Sequence, residues 1–126
     1  MPACAGVLLH ARILWELVRY DLLFACRGMP GVRPRHVPVS GTGGAECEAE
    51  ICEGLRSAAP LYWKPIHCLQ RSIVIARLMR DRGIPAEVVI GYRPVPFFSH
   101  AWVEIAGRVV NDSPAYKTRM LVLERL

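Results

Sequence analysis

Up to residue 82 the apolar residues of this chain recur at helical spacing, and from residue 86 they recur at strand-like spacing. The tripeptide Gly-Ile-Pro at residues 83–85 separates the two parts. Few folds place their helices before their strands in this way. Glycine just after a helix, followed closely by proline, ends the helix and blocks its continuation. Helices that precede a set of antiparallel strands are typical of the α+β class, which the sequence therefore predicts. Apolar residues recur at helical spacing over 6–26, 45–59 and 65–82, and strand-like runs follow at 86–92, 100–105, 108–112 and 120–123.

Composition narrows the classes of function. The chain has 126 residues, of which 52% are hydrophobic, and a mean hydropathy of +0.23. These values exclude intrinsic disorder and are typical of one compact domain. The net charge of +5 comes from scattered arginines rather than a basic block. Nucleic acid is therefore not expected as a partner, whereas an anionic or peptide partner fits.

Three segments are predicted along the chain. Residues 1–27 form an apolar helix that packs on the domain or docks on a partner, and its interior charges exclude a membrane span. Residues 28–44 are rich in proline and glycine and form a linker. Residues 45–126 hold the core, in which the helix at 65–82 is the most buried element and starts with a proline in its first turn. Its narrow polar stripe is Gln70, Arg77 and Asp81, and its arginines are expected on a solvated face.

The cysteines suggest where chemistry takes place. There are five, an odd number, and residues 1–4 lack the basic and apolar regions of a secretory signal, so we expect a cytoplasmic protein with reduced thiols. Cys68 lies at the start of the predicted buried helix, where amide N–H groups and the helix dipole favour the nucleophilic thiolate. The alternative is that Cys68 is a small buried packing residue.

A histidine and an aspartate on the predicted hairpin supply the other groups that a cysteine nucleophile needs. His100 would act as the base, and Asp112 would fix its tautomer. With residues 106–107 as a plain two-residue turn, the two side chains would face opposite sides of the sheet. We therefore expect an odd-length loop or one β-bulge between Ile105 and Asp112, which Gly107 would allow, and regular pairing would count against the triad.

Several short motifs make the sequence similar to a known family. They are Cys-Leu-Gln-Arg-Ser from Cys68, Arg-Gly-Ile-Pro-Ala from Arg82, His-Ala-Trp-Val-Glu from His100, and Val-Asn-Asp ending at Asp112. Together they resemble the B2-type lasso-peptide biosynthesis proteins, in the transglutaminase-like branch of the papain-fold cysteine enzymes. The similarity covers about residues 45–115. The histidine motif alone is typical of the wider superfamily, and the combination is specific.

The resemblance implies a papain-like core, with a nucleophile-bearing helix packed on a small antiparallel sheet. It also implies a leader peptidase, which cuts a ribosomally made precursor peptide before a separate cyclase closes the ring with ATP. By their match to the family motifs, Cys68 would attack the scissile carbonyl, His100 would move the proton and Asp112 would orient His100. No cofactor is implied. Because no segment resembles the leader-recognition domain that some members carry, a separate leader-binding protein is expected as a partner.

Other residues of the site are placed less closely by the sequence. The oxyanion would be bound by the N–H of Cys68 and a second donor within residues 61–67. The Pro-flanked aromatic pair at 97–98 lies in a predicted loop at 94–99. The two rings would either belong to the core or form a lid or substrate wall beside His100. The candidates for contact with substrate or oxyanion are Trp63, His67, Phe97, Phe98 and Trp102.

The residues leave room for three alternatives. A zinc site is disfavoured, because adjacent ligands at a helix start suit one tetrahedral ion poorly. Acyl transfer to an amine stays open, because the sequence does not show whether water or an amine resolves the acyl-enzyme. A non-catalytic scaffold that holds precursor and cyclase together also stays open, although the order of Cys, His and Asp argues against it. The zinc set would be Cys47, Cys52, His67 and Cys68.

Overall fold

The structure, a computed structural model, describes residues 7–32 and 45–126. Helices pack on a four-stranded antiparallel sheet, so the predicted α+β class is confirmed. The helices are α1 (Val7–Arg27), α2 (Met29–Val32), α3 (Ala45–Ala58), α4 (Cys68–Asp81) and α5 (Ala115–Arg119), with a 3-10 turn at Ala59–Leu61. The strands are β1 (Ala86–Pro94), β2 (Phe97–Ile105), β3 (Arg108–Val109) and β4 (Leu121–Arg125).

Helix α4 is the central element, because it packs against α1, α3, β1 and β2. It ends in a Schellman motif in which Gly83 adopts a φ of 78°. The N–H of Gly83 donates to the carbonyl of Arg80 at 3.0 Å, and the N–H of Ile84 donates to that of Met79 at 3.0 Å. The predicted end of this helix is therefore confirmed. The predicted start is wrong, because α4 begins at Cys68 and leaves Pro65 outside it.

The sheet has the strand order β3-β2-β1-β4. Strands β1 and β2 pair along their whole length, from Ala86 opposite Ile105 to Pro94 opposite Phe97. The predicted loop at 94–99 is therefore wrong, since only residues 95–96 form the turn. The C-terminal strand forms as predicted and pairs with the other edge of β1.

The two faces of the sheet have different neighbours. Side chains alternate along a strand, so Val103 and Ile105 of β2 join the main core with α1, α3 and α4. Trp102 points to the opposite face and packs with Val89 and Met120. This division decides on which side of the sheet each site residue lies.

Helix α1 packs on the main core. Its side chains Leu9, Ile13 and Leu17 are buried there. Placing these three side chains in the core gives the helix about 1.5–3 kcal/mol of stabilisation for each one fully buried.

The polar stripe of α4 faces α1, with Asp81 also open to solvent. Gln70 donates to the carbonyl of Leu17 at 3.1 Å, and Arg77 pairs with the buried Glu16 at 2.8 Å. Asp81 pairs with an arginine of α1. The expectation of a solvated face is therefore wrong for Arg77, because a buried carboxylate needs a paired cation and α4 supplies it.

Two further expectations are corrected by the structure. Part of the predicted linker is helical, since residues 29–32 form α2 with Val32 buried, while residues 33–44 lie outside the described ranges. Cys47 is disulfide-bonded, so the expectation of reduced thiols is wrong for this cysteine. The domain boundaries themselves stay a prediction. Within the two described ranges, no helix has the length and apolar character needed to cross a membrane.

A buried polar group lies on the face of the sheet away from α4. Glu104 is fully buried, accepts a hydrogen bond from Nε1 of Trp102 at 2.8 Å, and pairs with Arg125 of β4 at 3.1 Å. Burial on its own raises the pKa of Glu104. The hydrogen bonds from Trp102 and Arg125 and the charges of Arg125 and Lys117 outweigh burial and lower the pKa below its usual 4.5. The ionised carboxylate therefore ties β2 to β4.

Candidate active site

Cys68 is the first residue of α4, and its thiol is free and half-buried. The preceding residue, His67, is the N-cap, and its carbonyl accepts the N–H of Arg71 at 3.0 Å. The first amide N–H groups of a helix have no partner inside the helix, so they can hold an anion beside the thiol. Tyr20 of α1 also lies near: burial first, then the charges of Asp21 and Cys68, raise the pKa of Tyr20 above 10.0.

The structure brings His100 and Asp112 into direct contact. Nε2 of His100 lies 2.6 Å from Oδ2 of Asp112. The other carboxylate oxygen accepts the N–H of Ser113 at 2.8 Å, which fixes the carboxylate. The side chains are 14% and 26% exposed, so the pair is shielded but still reached by solvent. With Nε2 held by the carboxylate, Nδ1 is the ring nitrogen that can take a proton.

The hairpin turn is regular, so the expectation of an odd loop or a bulge at the turn is wrong. Ile105 pairs with Arg108, and Glu104 pairs with Val109. The turn residues Ala106 and Gly107 have φ values of 51° and 80°, which is typical of a type I′ turn. By register alone, this pairing counts against a contact between the histidine and the aspartate.

The contact forms because the ladder stops before Asp112. The N–H of Val110 still donates to the carbonyl of Val103 at 3.0 Å. The N–H of Val103, however, donates to the side-chain Oδ1 of Asn111 at 2.7 Å. A side-chain acceptor has replaced the backbone acceptor, the chain bends at residues 111–112, and Asp112 reaches the face that carries His100.

A tyrosine that the sequence reasoning missed packs on the imidazole. The ring of Tyr116, from α5, lies 4.1 Å from that of His100 with an angle of 29° between their planes. Phe98 lies 6.0 Å from the same imidazole, and Trp102 lies 6.4 Å from it. Because these rings surround His100 on one face of the sheet, they restrict its orientation. Asp112 lies before α5 begins at Ala115, so no helical spacing links the two positions in the sequence.

The thiol is not joined to this pair. In the part of the chain that the structure describes, no hydrogen bond connects Cys68 to His100, whose bonding partner is Asp112. Helix α4 packs on the face of β2 that carries Val103, whereas His100 shares the face of Trp102. In enzymes without substrate, catalytic hydrogen bonds are often long and tighten only in the complex. The structure therefore holds His100 and its orienting carboxylate together on one face of the sheet, and Cys68 at the start of the helix that packs on the other face.

The remaining predicted residues differ in exposure. Trp63 is 77% exposed and Phe97 is 74% exposed, and Phe98 is 40% exposed. His67 is exposed, and its side chain makes no capping bond. Trp102 has no exposed surface and supports the face of His100 from within the core. Phe98 alone of these lies both at the surface and against the imidazole.

The zinc ligand set considered above is not assembled. Across residues 7–32 and 45–126, no three His, Cys, Asp or Glu side chains come together as metal ligands. Cys52 instead donates to the carbonyl of Val110 at 3.7 Å, and burial raises its pKa to about 11.

Comparison with known proteins first identifies the class. The family model of the transglutaminase-like superfamily matches residues 7–125, so the chain belongs to that superfamily. Among individual proteins, the chain is 41% identical over 59 residues to the microcin J25-processing protein McjB of Escherichia coli. That match covers 47% of this chain and 28% of McjB. The resemblance to the lasso-peptide B proteins is thereby confirmed. No solved structure matches the chain.

Proposed function

We propose that this protein is a cysteine peptidase that removes the leader from a lasso-peptide precursor. The observation that carries the proposal is the 2.6 Å contact between Nε2 of His100 and Oδ2 of Asp112, on a domain whose central helix begins with a free cysteine. Similarity to a protein that processes microcin J25 supports the same reaction class.

The chemistry follows the usual order of a thiol peptidase. Nδ1 of His100 takes the proton of Cys68, and Sγ forms a bond to the scissile carbonyl carbon. The N–H of Cys68, at the start of α4, stabilises the oxyanion. The C–N bond then breaks as the imidazolium returns the proton to the leaving amine. Water, deprotonated by the same imidazole, cleaves the thioester and restores the thiol.

Asp112 acts through His100 in this scheme. A negative carboxylate at Nε2 keeps the N–H on that nitrogen and stabilises the imidazolium that forms during attack. The stack of Tyr116 on the same ring keeps its plane in place. The thiol must move into contact with Nδ1 when substrate binds.

We expect this peptidase to work with partner proteins. A separate leader-binding protein would present the precursor, and a separate ATP-dependent cyclase would close the ring of the product. The expected location is the cytoplasm. We expect the isolated chain to be slow without the leader-binding protein, and full cleavage rates by the chain alone would contradict this part.

The test is a mass-spectrometric assay of a linear lasso-peptide precursor with its leader-binding protein. Wild type should give leader and core fragments, whereas Cys68→Ala and His100→Ala should leave the precursor intact. Cys26→Ala is the matched control, since Cys26 is a free and exposed thiol of α1 and its loss should leave cleavage unchanged.

The same assay separates the other functions. An added amine that appears on the product in place of water indicates acyl transfer. An intact precursor with wild type and no adduct on Cys68 would refute both enzymatic functions and leave the scaffold.

A further inference from the structure

A cavity of about 280 Å³ lies where α3, α4 and the bend at Asn111 meet. Residues of α3 form one wall, including Leu55 and Arg56, and Arg71 and Ile75 of α4 form another. None of these residues takes part in the proton transfers described above.

The polar groups that line the cavity are hydrogen-bond donors. Arg56 and Arg71 are among the lining residues, and a guanidinium group donates and cannot accept. Oδ1 of Asn111 already accepts the N–H of Val103 at 2.7 Å, so the NH2 group of this amide is the part that can meet a ligand. The S–H of Cys52 is directed to a backbone carbonyl. No carboxylate is among the described lining residues; the charge of Glu48 acts on Cys52 and Glu53 pairs with Arg56, which leaves Arg71 as the main attraction for an anion.

The partners of the two arginines leave them able to bind. Arg71 has one hydrogen bond, from Nη2 to the carbonyl of Ile66 at 3.3 Å, and a guanidinium has five N–H groups. Arg56 pairs with Glu53 at the surface, where both side chains are mostly exposed and such pairs contribute little. A ligand carboxylate can therefore compete for both cations.

The apolar walls indicate the shape of that ligand. Leu55 and Ile75 are each only 1% exposed, so they offer a small apolar surface beside the cations. A short aliphatic stem that ends in a carboxylate fits such a surface, as in the side chains of glutamate and aspartate.

The cavity is placed close to the reacting groups. Cys68, Arg71 and Ile75 are spaced i, i+3 and i+7, so they share one side of α4. At about 1.5 Å per residue, Arg71 lies about 4.5 Å and Ile75 about 10 Å along the helix axis from Cys68. An extended peptide advances about 3.3 Å per residue, so the cavity is about one to three residues from a carbonyl held at Cys68. On its other side, Asn111 directly precedes Asp112.

We propose that this cavity is a specificity pocket for an acidic side chain of the precursor, located within about three residues of the scissile bond. The proposal rests on the peptidase function above, because it assumes a peptide held at Cys68. The charge of Arg71 is the main determinant, and Asn111 and Arg56 complete the set of donors.

A binding experiment tests the pocket independently of cleavage. The probe is N-acetyl-glutamate amide, with N-acetyl-glutamine amide as the uncharged isostere, titrated into Cys68→Ala protein. Side-chain resonances of Asn111 and Arg71 should shift saturably with the glutamate probe and not with the glutamine probe. Absent or equal shifts would overturn the pocket while leaving the peptidase function unaffected.

A charge-swap experiment tests the same pocket during reaction. The probes are peptidyl acyloxymethyl ketones that alkylate Cys68, with Glu, Gln or Lys at each of the three positions before the ketone. At one position wild type should react about tenfold faster with Glu than with Gln, a difference of about 1.4 kcal/mol. Arg71→Glu should reverse the order to favour Lys, and Arg71→Met should abolish the preference.

A charge change outside the cavity is the control for this experiment. Arg27→Glu, an exposed change in the last turn of α1, should keep the preference for Glu. Equal rates for all three probes, or no reversal in Arg71→Glu, would overturn the pocket. Failure of every probe to label Cys68 while iodoacetamide does so would instead refute the peptidase function, and the binding experiment then decides the pocket.

Discussion

Replacement of Gly91 by alanine tests how tightly the face around His100 is packed. Gly91 lies on β1 directly opposite His100. A Cβ at this position would lie 2.6 Å from Cη2 and 2.9 Å from Cζ3 of Trp102, and 3.2 Å from the carbonyl oxygen of Leu121. Carbon atoms in good contact are about 3.5–4.0 Å apart, so the indole or strand β4 must move by about 1 Å.

The magnitude follows from what resists that movement. Trp102 has no exposed surface and is held by its bond to Glu104, so it cannot move away into solvent. Overpacking of this kind costs about 1–3 kcal/mol. Alanine regains about 0.5–1 kcal/mol, because glycine loses more backbone entropy on folding. We expect Gly91→Ala to lower the free energy of unfolding by about 1–2 kcal/mol.

The assay is urea denaturation followed by tryptophan fluorescence. With a slope of about 2 kcal/mol/M, the midpoint should fall by about 0.5–1 M. Gly54→Ala is the matched control, since a Cβ there would approach the flexible ends of side chains, Cδ1 of Ile13 at 2.9 Å and Cδ2 of Leu9 at 3.1 Å. Alanine also favours a helix over glycine by about 1 kcal/mol, so this control should change the midpoint less.

A double variant gives the decisive comparison. Trp102→Phe removes the part of the ring that the new Cβ would meet, so Gly91→Ala should cost less in that background than in wild type. The reasoning is refuted if Gly91→Ala is as stable as wild type, or if its cost is the same with either ring at position 102.

Three other contacts have measurable consequences. Tyr116→Ala should slow precursor cleavage by about 2- to 10-fold and Tyr116→Phe should not, because an aromatic stack like that on His100 contributes about 0.5–1.5 kcal/mol. The folded state lowers the pKa of Glu104 below 4.5. The stabilisation that the ionised Glu104 contributes is therefore complete above pH 4.5 and is lost as the pH falls through the lowered pKa. Urea midpoints should fall more steeply in acid for wild type than for Glu104→Gln. Cys52, whose pKa is raised by burial to about 11, is only about 0.1% ionised near pH 8 and should resist iodoacetamide there. Peptide mapping should show the exposed Cys26 alkylated first, and equal rates would contradict the burial of Cys52.

The features that the sequence predicted correctly depend on neighbouring residues. Gly83 ends α4 because only a residue that readily adopts positive φ closes a Schellman motif. The turn at residues 106–107 places strands β2 and β3 side by side as predicted. The start of this helix was predicted too early, at Pro65 instead of Cys68, since the proline marks the boundary but does not fix it.

The contact between His100 and Asp112 does not follow from local pairing rules. Those rules predicted that the two side chains meet only if the hairpin has an odd loop or a bulge, because they assume that the ladder continues to Asp112. The turn is regular and the contact forms nonetheless. Whether a backbone N–H is satisfied by a backbone or by a side chain depends on how the chain packs. Here Asn111 supplies the acceptor for Val103, and no spacing rule contains that choice.

The sequence by itself determined the α+β class, the buried helix that begins near Cys68, and the residues that resemble those of a cysteine peptidase, because period, turn chemistry and motif are properties of short segments. Only the tertiary structure decided that the polar stripe of α4 faces α1, that Tyr116 covers His100, and that Asp112 reaches the imidazole while Cys68 stays apart from it. These contacts join residues from separate elements. Their geometry depends on how helices and strands pack together, and the spacing of residues along one segment does not record it.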